Sequence, residues 1–220
     1  MDNITHTLIG AVLGQAGLKR RSGLAMPALM IAANLPDVDA PCVVYGVESL
    51  AMRRGITHGP VALLVLPLVL AALLIACDRW QDRRGTRPPG RAPVHPGWLL
   101  VLCYLGTFTH PAFDWLNSYG IRLLEPFSSR WFYGDALFIV DPWLLAMLAL
   151  GLWLSRRRER AGAPRWPGAA QLAVAGVVAY VVLNIGISRM ASARVLGDAP
   201  YPAVALANPV PLAFWRRDVL

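Results

Sequence analysis

Charge is scarce in this chain. Only 15% of its 220 residues are charged, and 20 of its 21 basic residues are arginine. Soluble domains carry roughly 25% charge. A water-soluble surface cannot be built from so little charge when 56% of the residues are hydrophobic and the mean hydropathy is +0.47. Cysteine is scarce as well. The three residues Cys42, Cys77 and Cys103 are odd in number and have no CxxC spacing, which excludes a disulfide framework and a zinc knuckle. Cys77 and Cys103 lie inside apolar runs and read as small hydrophobes. The opening MDNITHTLIG lacks the basic stretch of a cleavable signal peptide, so membrane insertion is expected to rest on internal segments. No internal repeat is visible.

Long apolar runs are what the chain has instead. Residues 59–77 and 168–188 carry no charge, and residues 136–154 carry only Asp141. Each approaches the roughly 20 residues that cross a bilayer core. Residues 97–113 make a fourth, marginal span. Two shorter segments, 4–18 and 23–35, read as short tilted helices packed inside the bundle or as a helical hairpin. Gly10 and Gly14 stand in a GxxxG arrangement that permits close helix contact. The predicted fold is therefore all-α: a polytopic transmembrane helix bundle with four main spans and an N-terminal pair of short helices. Residues 1–189 form the transmembrane domain, and residues 190–220 an extramembrane Pro-rich tail, read as the start of a truncated soluble domain.

The net charge of +8 sits in blocks between the apolar runs. That is the distribution of cytoplasmic loops, not of a nucleic-acid groove, and no nucleic-acid partner is expected. Residues 19–21, 78–96 and 155–167 hold 13 of the 21 basic residues. Placing these three stretches in the cytoplasm satisfies the positive-inside rule. The N-terminus, residues 36–58, residues 114–135 and the tail then face the other side.

The histidines and aspartates converge on that other side. His6 opens the first segment, and Asp37 and Asp39 follow the second in NLPDVD. His58 precedes the 59–77 span, His110 and Asp114 close the fourth segment, and Asp141 lies near the start of the next. The topology rests on Arg and Lys alone, so the convergence is an independent observation. A carboxylate at the centre of a membrane helix costs roughly 2.5–3.5 kcal/mol, and clustered carboxylates repel. A bound divalent cation relieves both costs. Imidazole and carboxylate donors suit Zn²⁺, Mn²⁺ or Fe²⁺, and Zn²⁺ or Mn²⁺, one or two ions, is the expected cofactor. Each residue alone has a blander reading. His6 fits a polar N-terminal residue, and Asp37 a helix cap. His110 and Asp114 fit a hydrogen-bonded i, i+4 pair, and Asp141 before Pro142 a cap with proline in the first position. Five segments delivering such residues to one face is what favours a shared site. His95 falls in the opposite linker and is excluded.

Neighbouring groups complete the expectation. Arg54, one turn before His58, would hold an anionic group, or snorkel at the interface. Asn117 and Ser118 read as ligand-orienting or loop-capping residues, and Asp135 as a cap. Trp115, Trp131, Tyr133 and Trp143 fit an interfacial aromatic belt.

The ordered set MDNITHTLIG, NLPDVD, RGITHGP, THPAFDWLNSYGIRLLEPFS and FIVDPW resembles the bacterial inner-membrane metal-dependent hydrolase family of the YdjM-like type, from residue 1 to about residue 155. The resemblance implies that the family's polar positions fall on His6, Asp37, Asp39, His58, His110, Asp114 and Asp141. Gly59-Pro60 departs from the His and small hydroxyl residue expected there. Larger relatives are expected to continue past the segment Asn208–Trp215 into a soluble domain. The expected function is metal-dependent hydrolysis of a phosphoester or lipid-linked substrate at the non-cytoplasmic face of the inner membrane, with Asp39 as general base and Arg54 on the anionic group. The alternative is a non-enzymatic membrane protein: a metal or proton transporter, or a metal-stabilised scaffold.

Overall fold

A computed structural model describes residues 1–39, 54–197 and 205–219. Cys42 and Arg53 lie outside the described residues. The chain is mostly helical. Helix α1 spans Asn3–Gln15, α2 Ala25–Ala32, α3 Pro60–Arg83, α4 Pro96–Trp115, α5 Pro142–Arg160 and α6 Gly168–Gly197. Short 3-10 turns cover Leu18–Arg20, residues 35–39 and Ile56–His58.

Local chemistry sets the helix starts. Asp2 caps α1, accepting from the Thr5 backbone N–H at 2.9 Å. Helices α3, α4 and α5 all begin on a proline, whose missing N–H costs nothing in a first turn. This shortens the third expected span. Residues 136–141 are not helical, because the N–H groups of Ala136 and Leu137 bond to the Leu116 carbonyl at 2.8 and 2.9 Å. The apolar part of α5 then runs from Pro142 to Leu154, about 20 Å against a hydrocarbon core of about 30 Å. Among the described residues two helices, α3 and α6, are long and apolar enough to cross a membrane by length and composition. On α3, Leu64, Val65, Leu68 and Val69 are exposed, a surface suited to lipid.

Helix α1 is the centre of the bundle, packed against α2, α4, α5 and α6. Its glycines permit the approach to α2. A Cβ at Gly10 would lie 2.5 Å from the Leu29 carbonyl oxygen, and one at Gly14 2.6 Å from the Met26 sulfur. Gly106 of α4 meets α2 similarly, 2.7 Å from the Ala32 Cβ. Small residues of this kind matter where lipid supplies no hydrophobic drive for helix association.

The all-α expectation fails in the tail. Ala207–Pro209 (β1) and Arg217–Val219 (β2) pair as an antiparallel ladder. Asn208 and Val210 each precede a proline, which disfavours helix and favours extended backbone. The tail returns to the bundle: Trp143 Nε1 donates to the Leu212 carbonyl at 2.9 Å, and Arg217 donates to Asn184 Oδ1 at 2.9 Å. Helix α6 itself continues to Gly197, beyond the expected boundary at 189.

The basic stretches meet at one end of the bundle. Gly23 N–H bonds to the Pro93 carbonyl at 2.8 Å, Lys19 pairs with Glu159, and Lys19 and Arg20 both lie over the Trp166 ring. The polar cluster occupies the opposite end.

Candidate metal centre

Four segments build the centre. The first turns of α1 carry His6, and the last two turns of α4 carry His110 and Asp114, one helical turn apart. The 3-10 turn before α3 carries His58, and the 3-10 stretch after α2 carries Asp37. The three histidines are fully buried, and Asp114 is almost so. The rings of His6 and His110 are stacked with centroids 3.8 Å apart.

The Nε2 atoms converge on two carboxylates. His6 Nε2 lies 3.4 Å from Asp114 Oδ1, and His110 Nε2 lies 3.5 Å from both Asp114 Oδ2 and Asp37 Oδ1. His58 Nε2 is 3.7 Å from Asp114 Oδ2 and 3.8 Å from Asp37 Oδ1. These separations are long for hydrogen bonds. None of the three Nε2 atoms has a hydrogen-bond partner among the described residues, although all are buried. Donors bound at about 2.0–2.1 Å to one tetrahedral ion stand about 3.3 Å from each other, so the spacing is that of ligands around a cation. Two overlapping triads, His6–His110–Asp114 and Asp37–His58–His110, each bring their donor atoms within 4.8 Å of one another. They share His110, so the two triads lie side by side. The Met1 α-amine also contacts Asp114.

The far sides of two rings are fixed. His110 Nδ1 is 2.7 Å from the Ala33 carbonyl, which can only accept, so Nδ1 carries a proton and Nε2 is the nitrogen turned to the two carboxylates. Thr57 Oγ1 donates to Asp39 Oδ2 at 2.7 Å, which leaves it to accept from His58 Nδ1 at 2.9 Å. His58 Nε2 is therefore the lone-pair atom. Burial, helped by the nearby His110, pushes the His58 imidazole down to about 3, so the ring is neutral at physiological pH. Burial alone would raise Asp37, but the facing His110 outweighs it and leaves the carboxyl below its ordinary range. A neutral His58 and an ionised Asp37 are in the protonation states that bind metals.

The YdjM inner membrane protein family matches the chain over residues 1–191, most of its length. The chain belongs to that family. No curated protein and no solved structure matches it. As a YdjM family member it is an inner membrane protein, and its His and Asp groups could hold a metal ion.

Of the seven ligands expected in this YdjM chain, the structure gathers five. Asp39 stands behind His58, 3.8 Å from Nδ1 and not against Nε2. Its carboxylate accepts from Thr57 and from the Arg54 N–H at 3.2 Å, so it orients a ring where a ligand and base was expected. Asp141 is held elsewhere. Its Oδ1 caps α5 at Trp143 N and Leu144 N, 3.1 and 3.0 Å away, and both oxygens accept from the Tyr180 hydroxyl. The capping reading of Asp141-Pro142 describes this geometry.

Arg54 stands at the rim. Its Nε is 3.5 Å from Asp114 Oδ2, and its Nη1 donates to Asn117 Oδ1 at 3.1 Å and to the Gly120 carbonyl at 3.2 Å. Its φ of 56° is left-handed, a conformation that costs a non-glycine residue roughly 1–3 kcal/mol and tends to occur at functional sites. Ser118 lies beside this rim, one residue past the Asn117 that holds Arg54. Sequence reasoning missed Thr57 and the Ala33 carbonyl. Thr57 is visible in ITHGP, but its role depends on the 3-10 turn; no sequence signal marks a backbone carbonyl.

Proposed function

We propose that this YdjM family protein is a metal-dependent hydrolase of the inner membrane, with its site on the non-cytoplasmic side of a multi-pass bundle. The supporting observation is the set of three buried Nε2 atoms without hydrogen-bond partners, spaced around Asp37 and Asp114 as ligands around one ion. His6, Asp37, His58, His110 and Asp114 would hold the ion, and this nitrogen and oxygen set suits Zn²⁺ or Mn²⁺. When bound, such an ion supplies Lewis acidity for a phosphoryl or carbonyl group and makes water acidic enough to attack near neutral pH.

The chain's own residues would do the rest. The Asp39–Thr57 pair and the Ala33 carbonyl aim two imidazoles at the centre. Asp37 and Arg54 are the partly exposed members, 16% and 18% by side chain, so a substrate would enter past them. The Arg54 guanidinium beside Asp114 offers a charged fork to a phosphate or carboxylate at that opening. A phosphoester or lipid-linked substrate fits an opening at the end of the helices.

Elemental analysis of purified protein tests the centre. About one divalent ion per chain is expected, lost in His58→Ala and in Asp114→Ala. Metal-free wild-type protein would sink the reading. Phosphoester hydrolysis that stops on chelation and returns with the ion separates an enzyme from a metal-stabilised scaffold.

A further inference from the structure

A groove of about 450 Å³ runs between α1 and α5, from the level of Leu8 to the basic end of the bundle. Leu8, Leu152 and Trp153 line its apolar part, and Arg156, Arg157 and Arg160 stand at its mouth. The three arginines share a face, because 156 and 160 are four residues apart and 157 and 160 three. None of them is in an ion pair among the described residues. Glu159, on the same helix, lies against Lys19 and Gln15, with Arg156 close enough to act on its carboxylate. The Arg157 guanidinium lies over the half-exposed Trp153 ring, 5.5 Å from its centroid.

We propose that this groove binds an anionic phospholipid, its phosphodiester on Arg156, Arg157 and Arg160 and an acyl chain along Leu8, Leu152 and Trp153. Three facts point to a lipid in preference to a soluble anion. The apolar and cationic parts follow each other along one helix, about 16 Å from Ala149 to Arg160, the order and scale of an acyl chain and its headgroup. Trp153 stands where the two parts meet, as aromatic residues do at the headgroup level. The chain is an inner membrane protein, and basic pockets between helices are where anionic headgroups bind. The proposal is independent of the metal reading.

Native mass spectrometry of the detergent-purified full chain tests it, with phosphatidylglycerol and phosphatidylcholine added separately. Wild-type protein is expected to retain the anionic lipid and release the zwitterionic one. The triple variant R156Q/R157Q/R160Q should bind the anionic lipid weaker by on the order of a hundredfold, from the usual contribution of a juxtamembrane arginine. R79Q/R83Q/R84Q, which removes the same charge from α3 and the residue after it, should bind as wild type. Equal retention of the two lipids overturns the proposal, as does equal loss in both triple variants. Inorganic phosphate that competes the lipid off completely would show that the apolar wall plays no part, and would also overturn it. The two-lipid comparison on wild-type protein needs no variant, so it decides the matter even where the triple variant does not fold.

Discussion

At the residue scale, Asp39 and Thr57 separate two roles that one sequence motif mixes. Asp37 and Asp39 are two residues apart in the same turn, yet Asp37 meets His58 at Nε2 and Asp39 meets it at Nδ1. The 3-10 turn at 56–58 decides which, because it presents the Thr57 hydroxyl to the ring's outer nitrogen. Loss of such outer partners typically lowers metal affinity 10–100-fold while leaving a site able to bind. Thr57→Val is expected to fall in that range, against near-complete loss in His58→Ala. Nitrogen-15 NMR of histidine-labelled metal-free protein should find His58 protonated at Nδ1 in wild type and mixed in Thr57→Val. An Nε2-protonated ring in wild type would contradict the assigned geometry. That readout stands whether or not a metal binds.

At the element scale, the packing of α1 against α2 and α4 sets His6 against His110 and Asp114. Gly10 lies one turn beyond His6, directly on the α2 backbone at Leu29 and Met30. A larger residue there must push the helices apart, since the obstacle is backbone and cannot rotate away. Gly10→Val should destabilise the bundle by about 1–3 kcal/mol, read as a lower thermal midpoint, and should weaken metal binding in the same variant. Gly97, with nothing within 4 Å of an added Cβ, is the control: Gly97→Ala should change neither. GxxxG was legible in the sequence, but its consequence for the metal centre was not. Spacing identifies a helix face, whereas the neighbour on that face depends on the tertiary packing. The same limit applies to α5, whose start at Pro142 turned an apparent span into a helix with a shorter apolar part and a loop before it.

At the scale of the whole molecule, the three arginine-rich linkers gather at one end and the five donors at the other. The proposed non-cytoplasmic orientation of the donor end rests on the positive-inside rule. Cysteine accessibility checks this in a background with Cys42, Cys77 and Cys103 changed to Ser. An impermeant maleimide on spheroplasts should label Ser118→Cys, beside the centre, and reach Gly85→Cys, after α3, only after lysis. The reverse pattern would put the site in the cytoplasm.

Composition, apolar run length and arginine placement were enough by themselves to indicate a helical membrane protein with seven of its His and Asp residues at one end. These signals are sums over many residues and survive ignorance of contacts. The tertiary structure decided which five of the seven join one centre, and that Asp39 supports a ring while Asp141 caps a helix. It also decided that the Pro-rich tail pairs as strands and returns to the bundle. Ligation requires donor atoms a few ångströms apart across α1, α4 and two turns, and no spacing along the chain encodes that distance.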